Sequence, residues 1–168
     1  TRGWPWSKGC FHWVEPTSYS LMALKIPDVP QRDDMVEVLK RADGFILEHA
    51  CKDGGWNHGN DRTLGFDQPA YVVTSAEALV ALQNHRQDEK IQHALRSLKT
   101  SLGYGRSALS LAWVTIARQS YGEDTSETAE LLVQRQDTDG SFGPNLMVTG
   151  LSMLALQAHL GNNVFKTR

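Results

Sequence analysis

The sequence predicts an all-α protein made of helical hairpin repeats, with about seven helices in a single domain spanning 1–168. Three observations predict this fold class. Apolar residues recur every three or four positions in several segments, which is the period of an α-helix. Segments with one charged face alternate with segments that are small or apolar around their whole circumference. Asp-Gly turn signals at 53–54 and 139–140 follow two of the amphipathic segments.

The first helix is predicted at 17–24, where every residue is small, hydroxylated or apolar. Glu15 and Pro16 lie in its first turn, because proline fits the first positions of a helix. Pro27 and Pro30 follow its last residue and end it.

The second helix is predicted at 35–49, where apolar residues form one stripe and charged residues lie opposite. A turn ends it, since glycine adopts positive φ without steric cost and an Asp side chain can bond the backbone ahead of it. A large aromatic residue follows the turn. We interpret this turn as structural; its residues are Asp53, Gly54, Gly55 and Trp56.

The same alternation continues through the rest of the chain. After a polar loop at 58–69, the apolar helices are predicted at 75–82, 107–117 and 149–156, and the amphipathic ones at 91–102 and 125–136. A charged residue interrupts the first of these apolar helices, at Glu77. A weaker copy of the turn follows the last amphipathic helix, and its structural residues are Asp139, Gly140 and Phe142.

The four apolar segments share a pattern, since each opens with a hydroxyl residue and closes on an aliphatic one. Their starts at 17, 75, 107 and 149 have a spacing typical of two-helix repeats. Apolar helices must be covered on both sides, so they predict an inner layer wrapped by the amphipathic helices. We expect the leading hydroxyls to accept hydrogen bonds from free amides at the helix N-termini.

Composition excludes several functional classes. The net charge of -2 and the absence of a basic run argue against nucleic acid as a partner. No apolar segment approaches the roughly 20 residues that cross a bilayer, so no transmembrane segment is expected. Cys10 and Cys51 are too few for a disulfide framework and are expected to be free thiols of a cytoplasmic protein. Thr1 in place of Met suggests a processed or excised piece.

Two strings carry a resemblance to a known family. Gln136-Asp-Thr-Asp-Gly-Ser-Phe142 and Lys52-Asp-Gly-Gly-Trp56 resemble the QW motif of terpenoid cyclases, whose repeat family includes the β-subunits of protein prenyltransferases. The hydroxyl-led helix ending in Ala-Leu resembles the same family, and the opening Gly-Trp-Pro-Trp resembles its small bacterial members. Before Trp56, either Ala50 or Cys51 stands where the motif has glutamine, and the middle repeat at 102–105 lacks an Asp-Gly turn.

The resemblance implies that the hairpins form part of an α/α toroid. Seven helices make about three and a half hairpins, fewer than a closed ring of this family contains. One edge of the inner layer is therefore expected to be open. The missing remainder of a longer chain or a second copy, forming a homodimer, would cover it.

The catalytic strings of the family are absent. Cyclases that start by protonation use an Asp-x-Asp-Asp acid, and the nearest string holds Asp33 and Asp34, with Glu37 three residues on. These carboxylates could share a Mg²⁺ and a diphosphate. The alternative is that acids just after Pro30 stabilise the N-terminus of the following helix.

No metal site or cofactor is expected. The Asp, Cys and His that hold zinc in protein prenyltransferases have no counterpart at the predicted inner-helix starts. A different cluster can be drawn from His49, Cys51, Asp53 and His58, but its spacing is not a recognised ligand set and Asp53 is needed for the turn.

Glu15 is the most interesting acid. By resemblance it lies at the end of an inner helix where the family places its cavity, between Trp13 and Thr17. Burial beside an indole would raise its pKa and make it an acid near neutral pH. The alternative is a first-turn carboxylate that interacts with the helix N-terminus, which would lower its pKa.

We therefore expect an apolar cavity that binds an isoprenoid or similar lipid, without a recognisable catalytic set. The alternatives are a divergent terpenoid cyclase or prenyltransferase, with Glu15, Asp33 or Asp34 as its acid, and a repeat scaffold that binds protein. By resemblance, the residues expected to line the cavity are Trp13, Thr17, Tyr71, Thr74, Ser107 and Thr149.

Overall fold

The computed structural model describes residues 2–30, 32–101 and 106–167. Within these residues the structure contains seven α-helices, and the prediction of an all-α protein is confirmed. The helices are α1 (Val14–Leu24), α2 (Asp33–Glu48), α3 (Val72–Ala81), α4 (Glu89–Ser101), α5 (Ala108–Ser120), α6 (Ser126–Val133) and α7 (Leu146–His159). A 3₁₀ turn (Gln83–His85) follows α3. The middle-repeat turn predicted at 102–105 lies outside the described residues.

The loop predicted at 58–69 contains a small antiparallel hairpin that the sequence pattern did not indicate. Its strands are β1 (Arg62–Thr63) and β2 (Phe66–Asp67), in which Arg62 faces Asp67 and Thr63 faces Phe66. Two residues connect the strands with positive φ, a turn geometry that matches the twist of paired strands. Strands of two residues are too short to show an alternating pattern, which explains the difference.

The odd-numbered helices form a continuous row, because α1 packs on α3, α3 on α5 and α5 on α7. Each even-numbered helix packs on that row: α2 on α1, α4 on α3, and α6 on both α5 and α7. All residues of α3 from Thr74 to Ala81 are buried, as are nearly all of α5. Of the four segments predicted to be covered on both sides, α3 and α5 are buried at the centre of the row, whereas α7 at its end leaves large apolar side chains exposed.

The hydroxyl residues that open the apolar helices do not behave as predicted. α1, α3 and α7 begin three residues before the predicted starts, so these hydroxyls lie inside the first turn rather than at the N-cap. Three of them accept a hydrogen bond from the amide of an aromatic residue in the preceding loop. The pairs are Thr17 with Trp4 at 2.9 Å, Ser75 with Trp56 at 2.8 Å, and Thr149 with Phe142 at 3.0 Å.

Ser107 alone among the four caps its helix as predicted. Its hydroxyl accepts a hydrogen bond from the amide of Ser110 at 3.1 Å, at the start of α5. Each of the other three hydroxyls instead bonds an aromatic residue of a loop to a helix. Trp4 is therefore a third aromatic residue held in this way, with Trp56 and Phe142. The opening Gly3-Trp4 is thus a further copy of the repeated contact.

The two Asp-Gly turns have the same main-chain hydrogen bonds. Cys51 N bonds Gly55 O at 2.8 Å, and the equivalent Asp137 N bonds Ser141 O at 2.8 Å. This correspondence aligns Ala50, rather than Cys51, with Gln136. The Gln136 amide donates to Gly140 O at 2.9 Å, a bond that an alanine cannot make.

A buried ion pair joins the ends of α1 and α3 to the interior of α2. The ammonium of Lys25, just after α1, donates to Asp43 of α2 at 2.6 Å and to the Ala81 carbonyl at the end of α3 at 2.8 Å. It also donates to Asn84 Oδ1 at 2.8 Å. Burial lowers the pKa of Lys25, and the negative charge of Asp43 opposes that effect.

Candidate functional site

An apolar groove of about 380 Å³ lies between α1, α5, α7 and the chain after α7. Its walls are mainly aliphatic and aromatic, and a lysine lies at the rim. The lining residues are Tyr19, Met22, Ala23, Ile26, Trp113, Leu151, Val164, Phe165 and Lys166.

Aromatic rings follow one another along this groove. Tyr19 lies 6.1 Å from Trp6 and 6.2 Å from Trp113, measured between ring centroids. Trp113 in turn lies 5.6 Å from Phe165. These separations are within the range of favourable aromatic contacts. Tyr19, Trp113 and Phe165 therefore form an aromatic side of the groove, and Trp6 contacts Tyr19 outside the groove lining.

Hydrogen bonds hold the C-terminal segment against the helices. The side-chain amide of Gln83 donates to the Phe165 carbonyl at 2.8 Å. The side-chain amide of Asn163 donates to Gln119 Oε1 at 2.7 Å and to Ser120 Oγ at 2.9 Å. The wall contributed by Val164 and Phe165 is thus fixed at both ends.

A buried carboxyl group lies next to the groove. The Tyr19 hydroxyl donates to Oε1 of Glu77 at 2.5 Å, and only 2% of Glu77 is exposed. Burial raises the pKa of Glu77 to about 7, because desolvation disfavours the charged form. The hydrogen bond from Tyr19 lowers the pKa of Glu77, and the negative charge of Glu15 raises it. Burial also raises the pKa of Tyr19. Glu77 therefore exchanges its proton near neutral pH.

A separate cleft of about 420 Å³ surrounds His58 and shares no lining residue with the groove. His58 Nδ1 is hydrogen-bonded to Oε1 of buried Glu15, and the Thr74 hydroxyl donates to the same oxygen at 3.3 Å. The imidazole lies 5.3 Å from the Trp13 ring and 5.0 Å from the Tyr71 ring. Among the described residues, Oε2 of Glu15 and of Glu77 are buried without a hydrogen-bond partner.

Four of the residues predicted for the site come together around this cleft: Glu15, Trp13, Tyr71 and Thr74. Neither of the two interpretations of Glu15 from the sequence predicted that its partner is His58.

The other predicted site residues lie elsewhere. Asp33 and Asp34 are exposed in the first turn of α2, where Arg32 pairs with Asp34 at 2.9 Å. The hydroxyls of Thr17, Ser107 and Thr149 bond the main chain, as described above.

The turn residues make contacts within the scaffold. Trp56 is fully buried, and its indole nitrogen donates to the Ile46 carbonyl at 2.6 Å. Asp53 accepts a hydrogen bond from the Ala70 amide at 3.2 Å. Asp139 accepts one from the Ser141 amide at 2.9 Å. Phe142 is buried, and Gly54 and Gly140 have φ of 92° and 86°.

Sequence reasoning missed two polar contacts, that of Tyr19 with Glu77 and that of His58 with Glu15. Glu77 carried a usable signal, because a lone acid in a helix otherwise free of charge must be buried, and buried carboxyl groups are rare unless paired. His58 carried no comparable signal, since it lies 43 residues from Glu15 in a polar loop.

No group of three or more His, Cys, Asp or Glu side chains suited to a metal ion occurs in the described parts of the chain. His49, one member of the cluster considered above, bonds the Phe45 carbonyl through Nδ1 at 2.8 Å, and His58 bonds Glu15. Across the described residues, every helix is too short or too polar to cross a bilayer.

The described residues thus form an all-α protein with an apolar groove and a separate polar cleft, and a buried glutamate lies next to each. No protein-family model, curated protein or solved structure gives a significant match to the chain.

Proposed function

We propose that the protein binds an isoprenoid-like apolar ligand in the groove between α1, α5 and α7. The observation that carries this proposal is the row of aromatic side chains of Tyr19, Trp113 and Phe165 along an otherwise mainly aliphatic groove. The resemblance of the turns to the QW motif supports the same ligand class, and the row of helices is compatible with part of an α/α toroid.

The groove favours a neutral ligand over a diphosphate. Its volume of about 380 Å³ lies within the roughly 300–1,000 Å³ of small-molecule sites. Among the described residues, Lys166 is the one charged side chain in its lining, and it is exposed at the rim. A diphosphate binds several cationic groups or a metal ion, whereas a hydrocarbon or a long-chain alcohol needs apolar walls.

Ligand retention tests the proposal. The protein is incubated separately with squalene and with a polyprenyl alcohol, passed through a desalting column, extracted and analysed by mass spectrometry. Ala23 is exposed in the groove wall, so Ala23→Trp fills the groove without disturbing the core. Glu37→Trp, on the exposed face of α2, is the matched control. Retention by the wild type and the control but not by Ala23→Trp is expected; equal retention by both variants, or none by the wild type, overturns the proposal.

A second candidate is a divergent cyclase, favoured by the hydrogen bond of Tyr19 to Glu77. Cyclisation of an isoprenoid starts when an acid protonates a carbon–carbon double bond, and a carboxyl group with a pKa of about 7 retains its proton for that step near neutral pH. The same extracts then contain a converted product. Conversion that disappears in Glu77→Gln while retention persists supports this candidate, and retention without conversion contradicts it.

We also propose that a second copy of the chain covers the outer side of α7. This helix packs on α5 and α6, and large apolar side chains remain exposed on it and on α6. Such a patch on a repeat protein is typical of an interface. Identical helices meeting about a two-fold axis would cover each other. The exposed residues are Val133, Leu146, Met147, Met153 and Leu160.

A further inference from the structure

We propose that the cleft around His58 is a second, independent binding site, which takes a small planar neutral molecule and accepts a hydrogen bond from its hydroxyl group at Nε2 of His58. The site shares no lining residue with the apolar groove, so the proposal does not depend on the proposed isoprenoid ligand.

The first step concerns the imidazole. Glu15 is buried, and no lysine or arginine pairs with it among the described residues; its hydrogen-bond partners there are His58 and Thr74. In the proposed state Glu15 is a carboxylate, which only accepts hydrogen bonds, and His58 is a neutral imidazole with its proton on Nδ1. A neutral imidazole has one donor and one acceptor nitrogen, which leaves Nε2 as the acceptor.

The second step concerns the direction of Nε2. His58 lines the cleft, and about half of its side chain is exposed, at 50%. Glu15, with a side chain 12% exposed, lies behind the cleft wall on the Nδ1 edge of the ring. In the proposed geometry, Nε2 lies on the other edge of the ring from the Glu15 bond and points towards the cleft. It has no hydrogen-bond partner within the described parts of the chain.

The third step concerns the ligand class. Trp13 and Tyr71 flank the imidazole, and Phe11 stacks on Trp13 with ring centroids 5.2 Å apart. Such walls favour a planar ring. The remaining lining includes the amide side chains of Asn60 and Gln68, and no lysine or arginine lines the cleft within the part of the chain that the structure describes. Anionic ligands are disfavoured next to Glu15, whereas a neutral molecule with a hydroxyl group satisfies both the rings and Nε2.

A pair of simple probes tests the hydrogen bond directly. Phenol has the planar ring and the hydroxyl proton, while anisole has the same ring with the proton replaced by a methyl group. Binding is followed by ¹⁵N-detected NMR of the histidine side chains, which reports the tautomer of each imidazole and the perturbation of each ring nitrogen. His85 is an internal control, since it pairs with Asp43 through Nε2, the opposite nitrogen, at 2.9 Å.

The expected spectrum of the free protein shows His58 with its proton on Nδ1 and His85 with its proton on Nε2. Phenol is expected to shift the Nε2 resonance of His58 saturably and to leave His85 unchanged, and anisole is expected to bind several-fold more weakly. A His58 tautomer with the proton on Nε2, no saturable shift with phenol, or equal binding of phenol and anisole overturns the proposal.

Variants separate positioning by Glu15 from general stability. Glu15→Gln removes the charge but keeps the size, and it is expected to mix the His58 tautomers and weaken phenol binding while leaving His85 unchanged. Thr74→Val removes one hydrogen bond to the same oxygen and is a milder variant should Glu15→Gln not fold. Tyr71→Leu removes a ring wall on an exposed side chain and is expected to weaken both probes equally. Unchanged phenol binding in Tyr71→Leu and Thr74→Val contradicts the site.

Discussion

The hydroxyl of Ser75 binds both main-chain groups of Trp56, accepting from its amide at 2.8 Å and donating to its carbonyl at 3.1 Å. Thr17 accepts from the Trp4 amide in the same way, at 2.9 Å, while its own proton goes to the Trp13 carbonyl at 2.6 Å. In both cases a hydroxyl in the first turn of a helix pairs a loop amide that would otherwise lack a partner.

Ser75→Ala is expected to destabilise the fold by about 1–3 kcal/mol, because it leaves the buried amide of Trp56 unsatisfied, while the Trp56 carbonyl keeps the Tyr71 amide as its donor. The measurement is urea unfolding followed by circular dichroism. Ser20→Ala is the matched control, since Ser20 donates only to the Pro16 carbonyl of its own helix. Equal losses in the two variants would contradict the role of the Ser75–Trp56 contact.

Gly55→Ala is expected to destabilise the fold for two reasons. An alanine at a φ of +114° costs about 1–3 kcal/mol of backbone strain, and the added Cβ would also lie 2.3 Å from Ser75 Oγ, which raises the cost above that range. Gly44→Ala provides the opposite case. Gly44 lies inside α2 with open space around its Cβ position, so alanine should stabilise the fold by roughly 0.5–1 kcal/mol. Thermal unfolding of both variants gives the comparison, and a stable Gly55→Ala protein would show that the close contact relaxes freely.

Stability is expected to fall between pH 4.5 and pH 7 because of Glu77. Its folded-state pKa is raised from 4.5 to about 7, so the folded protein holds the proton more tightly than the unfolded chain does. The contribution of Glu77 to the free energy of unfolding is complete below pH 4.5 and is lost as the pH rises through 7. Its size is about 3 kcal/mol, since each unit of pKa shift is worth ~1.4 kcal/mol. Glu77→Gln, which cannot ionise, should remove most of this dependence in urea unfolding from pH 4.5 to 8. Glu37→Gln on the exposed face of α2 should keep it; parallel curves for Glu77→Gln and the wild type would refute the assignment.

Lys25→Met is expected to destabilise the fold by about 3–5 kcal/mol, because it leaves Asp43 buried without its ammonium partner. Asn84 and His85 still donate to the carboxylate but do not neutralise it fully. The double variant Lys25→Met/Asp43→Leu replaces both charges with apolar groups and should recover part of the loss. Chemical denaturation measures both, and a double variant less stable than the single one would contradict an unpaired charge as the cause.

The protein is expected to sediment as a dimer at micromolar concentration if a second copy covers α7. Met153→Lys places a charge in the exposed patch and should shift the population to monomer without changing the helical content, since 59% of Met153 is exposed. Analytical ultracentrifugation separates the two states. Lys166→Met, outside the patch, is the control, and a wild-type monomer would exclude the interface.

The sequence predicts the helices well because each depends on a local period. The charged stripe of α2 and the uninterrupted apolar character of α5 follow from neighbouring residues alone. The site does not follow in this way. His58 meets Glu15 across 43 residues and Tyr19 meets Glu77 across 58, so no local pattern connects them. The role of the helix-opening hydroxyls was mispredicted for the same reason, since their partners lie in distant loops.

The hydrogen bond between a loop aromatic residue and a helix hydroxyl recurs although the chain between the two residues varies in length. The aromatic residue precedes its hydroxyl by 13 residues for Trp4, 19 for Trp56 and 7 for Phe142, although the docking is the same. Loop closure costs little for each added residue, so insertions between these two points leave the helix row intact. The longest of these segments carries His58 and most of its cleft. These loops are therefore natural positions for acquiring or engineering new chemistry on an unchanged scaffold.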